Sequence, residues 1–253
     1  MNILTGRNIS PHHPYFIRIA LLGLIFIISV LSSCSSPDIS RDRELLHILD
    51  QDEHFQNGSL SIKIQDGHIT SLSLKDYQGE ALPIEIGALD SIRHLEIATS
   101  KLKTLSIIEQ LITLESVIVS GTPLEKMPNL GAMPALNHVV FSSTQIQDTV
   151  DARRFNPNIT SLIIRESPIK YIIHLNHLEN LKMLAITDCQ LADFPEAYCA
   201  LNSLWSLNIE GNPFGSVDTL DFRCLKNLSS LDPSDMEHPV FITDQKALQP
   251  QWY

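Results

Sequence analysis

The apolar pattern of the stretch Leu181-Lys-Met-Leu184-Ala-Ile186 recurs 23 residues later in Leu204-Trp-Ser-Leu207-Asn-Ile209. The same pattern, apolar-x-x-apolar-x-apolar, begins at residues 69, 92, 114, 136, 159, 181 and 204. The intervals between these starting points are 22 or 23 residues. A fixed period of this length is typical of a solenoid, in which each unit buries its apolar side chains only against the units before and after it.

The second half of each unit follows a rule of its own, with an apolar residue at about every third position. It is clearest in Cys189-Gln-Leu191-Ala-Asp-Phe194-Pro195-Glu-Ala-Tyr198-Cys-Ala-Leu201-Asn-Ser-Leu204. The whole unit resembles a leucine-rich repeat, and the resemblance covers roughly residues 69–231. It implies an α/β solenoid, a horseshoe with a parallel sheet on the concave side and mostly loop or 3-10 returns on the convex side.

The position that usually holds asparagine in such repeats departs from the family pattern. Hydroxyl groups carry fewer hydrogen-bond donors than an amide. We therefore expect a weaker ladder, meaning the row of side-chain hydrogen bonds that links successive turns at this position. The residues at this position are Tyr77, Ser100, Thr122, Thr144, Ser167, Cys189 and Asn212.

Segments on either side of the repeats are expected to close the ends of the sheet. Residues 41–68 form the predicted N-terminal cap, with a helix over residues 40–50 and then a strand and a turn at Asp66-Gly67 that lead into the first repeat. Residues 232–253 form the predicted C-terminal cap or tail, with Pro239-Val-Phe-Ile-Thr243 and Trp252-Tyr253 covering the other end.

The amino terminus has the features of an export signal. Arg7 and Arg18 are the only formal charges before Cys34, and the uncharged stretch of residues 19–33 is short for a membrane span. Leu31-Ser-Ser-Cys34 resembles the lipobox of bacterial lipoproteins. The resemblance implies a signal peptide over residues 1–33, cleaved before Cys34, and a Cys34 that carries diacylglycerol with fatty acids such as palmitate.

Residues 34–40 would then be a short tether to a membrane of the bacterial cell envelope. Ser35 in place of aspartate favours the outer membrane, while the face on which the protein lies stays open. An uncleaved signal anchor and an ordinary signal peptide are the alternatives.

The charge of the chain excludes some partners. Its formal net charge is −11, and it becomes −13 when the two arginines of the predicted signal peptide are removed. Nucleic-acid phosphates repel a domain of this charge, so we expect no nucleic-acid partner. We expect a monomer that binds a protein or peptide ligand.

The remaining cysteines do not have the spacing of a metal site. Cys189 occupies an interior repeat position, whereas Cys199 and Cys224 fall on the outer side of neighbouring repeats. Successive turns of a solenoid place such positions within bridging range, so Cys199 and Cys224 could form a disulfide. Paired C-x-x-C or Cys/His spacings are absent from the sequence, and we predict no metal and no cofactor.

Alternate residues of each predicted strand should face the concave surface. The central column reads Ser73, Glu96, Ile118, Val140, Ile163, Ala185 and Asn208, with four apolar residues in succession. We predict an apolar strip with a polar rim that meets the ligand, although β-branched residues also simply suit exposed strands. The predicted binding residues are Glu96, Ile118, His138, Val140, Ile163, Arg165 and Glu166.

The sequence holds no recognisable active site, and we predict no catalytic residues. Gly-rich phosphate loops, a G-x-S-x-G elbow and an H-E-x-x-H motif are all missing. His174 and His177 are the nearest approach to a metal pair, and a third ligand does not accompany them. A non-catalytic binding module is therefore favoured, with a structural envelope lipoprotein and an envelope hydrolase as the alternatives.

Overall fold

The computed structural model describes residues 16–19, 40–55, 59–194, 196–214, 219–232 and 240–242. One α-helix of this part, α1, spans Ser40–Gln51. Short 3-10 turns lie at Glu53–Phe55, Ile84–Ala88, Ser106–Gln110, Ala152–Arg154, Leu175–His177 and Glu196–Ala200. The strands are β1 Phe16–Ile19, β2 Ser59–Gln65, β3 His68–Lys75, β4 His94–Ala98, β5 Ser116–Thr122, β6 His138–Thr144, β7 Asp148–Asp151, β8 Ser161–Arg165, β9 Ile169–Ile173, β10 Met183–Thr187, β11 Ser206–Asn208, β12 Thr219–Asp221, β13 Ser230–Asp232 and β14 Val240–Ile242.

A single large sheet follows the repeats, in the order β1-β2-β3-β4-β5-β6-β8-β10-β11-β13. From β3 to β13 all neighbouring strands are parallel, as the repeat pattern predicts. The middle apolar residue of each unit aligns with that of the next, and all of these residues are buried. They are Leu72, Leu95, Val117, Val139, Leu162, Leu184, Leu207 and Leu231.

Each repeat has one residue in the left-handed region, at the end of its strand or in the turn that follows. The values of φ run from 47° at Thr99 and Glu166 to 68° at Gly211. At several of these positions the backbone N–H donates to the next repeat, as in Asp76 to the carbonyl of Ala98 at the end of β4, at 3.0 Å. The left-handed residues are Asp76, Thr99, Gly121, Ser143, Glu166, Asp188 and Gly211, at the period of the repeat.

The side chains at the asparagine position of the family pattern make different numbers of hydrogen bonds from one repeat to the next. The Asn212 amide donates to the carbonyls of Ile186 at 2.7 Å and Ile209 at 2.8 Å, and its oxygen accepts from the N–H of Leu191 at 3.2 Å. Thr144 and Ser167 share one hydroxyl contact of 2.8 Å. The buried Thr122 Oγ1 has no hydrogen-bond partner within the described structure. Thr122 thus lacks the side-chain hydrogen bonds that Asn212 makes, while a weaker ladder at the hydroxyl positions stays a prediction.

The N-terminal end of the sheet is covered by the elements expected there. Strand β2 pairs antiparallel with β3, and the Asp42 carboxylate of α1 accepts from the N–H of Ile69 at 2.8 Å. Within the predicted signal peptide only β1 is described, and it pairs antiparallel with β2. Cleavage before Cys34 would remove β1 and leave β2 as the edge strand. Cys34 and the predicted tether before Ser40 lie outside the described residues.

The C-terminal end differs from the expectation. Strand β14 lies within the segment predicted to cover the sheet edge, but it pairs parallel with β12 in a separate two-stranded sheet. Trp252 and Tyr253 lie outside the described residues. A disulfide joins Cys199 to Cys224, with 5.3 Å between their Cα atoms. This bond links the convex returns of the last two complete repeats.

The convex side carries 3-10 turns, as expected, and one feature that the repeat pattern does not predict. Strands β7 and β9 form a parallel pair on the returns of two neighbouring repeats. Across the described part of the chain, every helix is too short or too polar to span a bilayer.

Candidate protein-binding face

The predicted central column forms a continuous row across the sheet. Glu96 on β4 pairs with Ile118 on β5, which pairs with Val140 on β6, and Val140 pairs with Ile163 on β8. Neighbouring parallel strands lie about 4.8 Å apart, so each of these side chains stands directly beside the next. The geometry brings the three aliphatic residues together on the concave face. We call Ile118, Val140 and Ile163 the concave strip.

The concave strip is half-buried, and it ends sooner than the sequence predicts. The prediction extends the apolar row to Ala185, but only 6% of this residue is exposed. Thr187 on the same strand is also only 6% exposed. The methyl side chain of Ala185 on β10 is shorter than the side chains of neighbours such as Ile163. It therefore lies below the surface that they form and offers little area to a ligand. At the other end, Glu96 is exposed and makes that end polar.

One flank of the concave strip is a row of hydroxyl and imidazole groups. Ser116, His138 and Ser161 occupy paired positions on β5, β6 and β8. Burial lowers the pKa of the half-buried His138, so its ring is neutral at neutral pH. The Oγ atom of Ser161 is buried and lacks a partner in the described structure.

The other flank is charged at its β8 end, and Ser120 and Ser142 continue it on β5 and β6. Arg165 ends β8 and is exposed, and Glu166 follows it in the left-handed conformation with φ of 47°. The Glu166 carboxylate accepts from the Ser143 hydroxyl at 2.5 Å, which ties the end of β6 to the turn after β8. All seven predicted binding residues therefore lie on four neighbouring strands or directly after them.

Sequence reasoning passed over one exposed aromatic residue of the last complete repeat. Trp205 is 44% exposed and directly precedes β11, and its backbone N–H donates to the carbonyl of Lys182 at 2.9 Å. It occupies the second position of the repeat pattern, where the other units have polar residues. Alignment of the repeats shows this contrast in the sequence, because Trp205 is a tryptophan at a position where the other repeats have polar residues.

The structure offers little support for catalysis or metal binding. The His174 ring contacts the Asp151 carboxylate at 3.0 Å, while the His177 ring contacts the Phe155 carbonyl at 3.2 Å, so each histidine has its own partner. Burial raises the pKa of the Cys189 thiol to about 11, which keeps it protonated. Among the residues described, no three His, Cys, Asp or Glu side chains are grouped as a metal would need.

Comparison with known structures identifies the fold. Internalin C2 of Listeria monocytogenes superposes with a TM-score of 0.52 at 21% identity, over 68% of this chain and 85% of that protein. A leucine-rich-repeat protein of Leptospira interrogans gives 0.48 at 22% identity, over 61% of this chain, and the match spans only 40% of that protein. A plant peptide hormone receptor in complex with RGF2 gives 0.45 at 17% identity, over 69% of this chain and 36% of that protein.

The match to internalin C2, together with the parallel sheet, shows that the chain has the leucine-rich-repeat fold. The predicted fold class, an α/β solenoid, is confirmed. No protein-family model matches the sequence, and no curated protein matches it either.

Proposed function

We propose that this chain is a lipid-anchored, non-catalytic module of the bacterial cell envelope that binds a protein or peptide ligand on its concave face. The observation that carries the proposal is the strand register that makes Ile118, Val140 and Ile163 direct neighbours on an accessible surface. Exposed apolar residues that form one patch with a polar rim are typical of binding surfaces.

The composition of the concave strip sets the kind of ligand it suits. Three β-branched side chains offer a rigid aliphatic contact, with neutral hydrogen-bonding groups on the His138 side and charges on the Arg165 side. Aromatic residues, which dominate tight interfaces, are missing from the central column. We therefore expect a partner with an apolar contact surface and a modest affinity.

Membrane attachment belongs to the same proposal. The lipobox-like sequence at Cys34 supports a diacylglycerol anchor, and more than one acyl chain is needed for stable attachment. The tether from Ser35 to Ser40 reaches about 20 Å when extended, so the solenoid would stay close to its membrane.

Metabolic labelling tests the anchor. Cells expressing the full chain are fed an alkyne analogue of palmitate, and we expect the label on the wild type and on Cys189→Ser, but not on Cys34→Ser. Label that persists on Cys34→Ser, or a wild type without label, would contradict the lipid anchor.

Paired surface variants test the binding face. We expect Ile118→Asp combined with Ile163→Asp to abolish co-purification of an envelope protein with the tagged chain. Ile84→Asp combined with Ile112→Asp is the matched control, because these two isoleucines are 73% and 57% exposed and lie outside the concave sheet. Equal recovery of the same partner by both double variants would remove the concave face from the proposal. Absence of any specific partner would favour a structural envelope lipoprotein.

A further inference from the structure

The proposed function leaves one edge of the large sheet without a partner strand. Strand β2 pairs with β3 on one side and with β1 on the other. Cleavage before Cys34 would remove β1, and residues 60–64 of β2 would then form an open edge. A free edge presents a row of backbone N–H and C=O groups with which another strand can pair. We call residues 60–64, seen from this side, the β2 edge.

Strand β1 shows which kind of strand fits the β2 edge. It runs antiparallel to β2 over the whole of its length. The register pairs Ile17 with Ile62, Arg18 with Ser61 and Ile19 with Leu60. The β2 edge therefore accommodates an antiparallel strand with the order isoleucine, cation, isoleucine, in which the cation stands opposite a serine.

The same order occurs in β2 itself, as Ile62-Lys63-Ile64. A second copy of β2 can take the place of β1 in the same register. Ile62 of the second copy then lies opposite Ile62, its Lys63 opposite Ser61 and its Ile64 opposite Leu60. These pairs obey two-fold symmetry, because each of them recurs when the two copies are exchanged. The β2 edge is therefore complementary to itself.

The apolar side chains of β2 agree with this pairing. Leu60 and Ile62 are buried in the core and Ile64 packs against it, so these alternate residues share the core side of the strand. Ile64 keeps its place in the alternation because the irregularity between β2 and β3 lies in β3, where the register passes over Thr70. Residues directly opposite each other in an antiparallel pair share a face, so apolar residues meet apolar residues across the two copies.

The charge of Lys63 is compatible with the symmetric pair. A lysine in an edge strand commonly discourages pairing with another chain. In this register each Lys63 lies opposite Ser61 of the other copy, and the two lysines are diagonal neighbours about 7–8 Å apart. Lys63 is the only charged residue of β2, so no like charges stand directly opposite each other.

We propose that the mature protein forms a two-fold dimer on its membrane, in which the β2 edges of two copies pair antiparallel. The dimer rests on the proposed function, because cleavage is what opens the edge. Five residues from each copy bury far less than the roughly 1,200 Å² of a stable complex in solution. The lipid anchor compensates, because it holds both copies on one membrane and raises their effective concentration. In dilute solution the protein stays the monomer that we expect from the sequence.

Site-specific disulfides in intact cells test the dimer. Two full-length chains with different tags are co-expressed, one with Ser61→Cys and the other with Lys63→Cys, and linked chains are detected on a non-reducing gel. Directly opposite residues of an antiparallel pair have Cα atoms about 4.5–5.5 Å apart, which is within the range of a disulfide. We expect this combination to give a linked pair of cleaved chains.

Ser61→Cys with Gln65→Cys is the matched control. Gln65 is exposed, but it is two positions out of register with Ser61 of the other copy. The diagonal distance of about 7–8 Å is too long for a disulfide, so we expect at least about tenfold less linked product than from the first combination. Equal yields from the two combinations would indicate random collision and overturn the proposal.

The processing state of the chains separates the dimer from the proposed function. Cleaved chains migrate faster than the precursor, which retains β1. Cleaved chains without a link overturn the dimer alone, whereas chains that stay uncleaved overturn the predicted signal peptide and the dimer together.

The concave strip provides a second control, because it begins on β5, three strands away from β2. Adding Ile118→Asp and Ile163→Asp to both chains should leave the yield of linked product unchanged. Loss of the link in these chains would show that a partner on the concave face, and not the β2 edge, holds the two copies together.

Discussion

At the scale of single residues, the ladder position after each strand shows how one side chain links two turns. Asn212 makes four hydrogen bonds from a buried position, three to carbonyls and one from an N–H. Thr122 is equally buried at the corresponding position of another repeat, and its hydroxyl makes none within the described structure. The same structural position is therefore strongly satisfied in one repeat and unsatisfied in another.

We predict opposite results from substitutions at these two positions. Asn212→Ala should lower the free energy of unfolding by about 2–3 kcal/mol, because it leaves buried backbone groups unpaired. Thr122→Val should change it by less than about 1 kcal/mol, or raise it, because no hydrogen bond is lost. Urea unfolding followed by circular dichroism measures both. A loss at Thr122→Val as large as that at Asn212→Ala would show that Thr122 has a partner, such as an ordered water.

His138 makes stability depend on pH. Burial lowers the pKa of the folded ring, so below the ordinary value of 6.5 the unfolded chain binds a proton that the folded chain does not. Stability is therefore lost as the pH falls from that value toward the folded pKa. We expect wild type to lose more stability than His138→Gln between about pH 7 and about pH 5, measured by urea unfolding at each pH. Parallel pH profiles for the two proteins would contradict this role of His138.

The residues of the binding face were predictable because the strand period of two and the repeat period together fix which side chains share a column. Burial within the column was not predictable, because it depends on the size of neighbours. Ala185 illustrates this point: its position in the column is correct, but its small side chain lies below the surface. Trp205 was missed because its repeat position belongs to no facing column.

At the scale of elements, the strands were predictable and some of their partners were not. Strand β13 extends the parallel sheet beyond the seven predicted units, although its segment Leu228-Ser-Ser-Leu231-Asp-Pro233 has proline at the third apolar position. Pairing with β11 needs only three residues there. The pair β7 and β9 was also missed. The sequence of these convex returns lacks the alternation of apolar and polar residues that indicates a strand, and their extended conformation comes from packing against each other.

The disulfide acts on one end of the solenoid. The Cys199–Cys224 bond joins residues 25 positions apart, which in the chain-entropy account contributes about 3.5 kcal/mol. Because each repeat contacts only its neighbours, we expect reduction to loosen the C-terminal repeats selectively. Hydrogen exchange should accelerate after reduction in residues 196–232 and stay unchanged in β4–β6. Uniform acceleration over the whole solenoid would indicate that its repeats unfold as one unit.

At the scale of the whole molecule, the winding of the chain produces two different surfaces from one repeat. The concave side is regular because every unit contributes a strand in the same register, so three aliphatic residues 22 or 23 positions apart become one contact surface. The convex side is irregular because each return has its own sequence.

Photo-crosslinking in intact cells tests the binding face most directly. A photoreactive amino acid is placed at Val140, in the middle of the concave strip, and in a separate protein at the convex residue Ile112. We predict one discrete crosslinked product from position 140, none from position 112, and loss of the product when Ile118→Asp and Ile163→Asp are added. The same product from position 112, or a product at 140 that survives both aspartates, would contradict the concave face as the site where the partner binds.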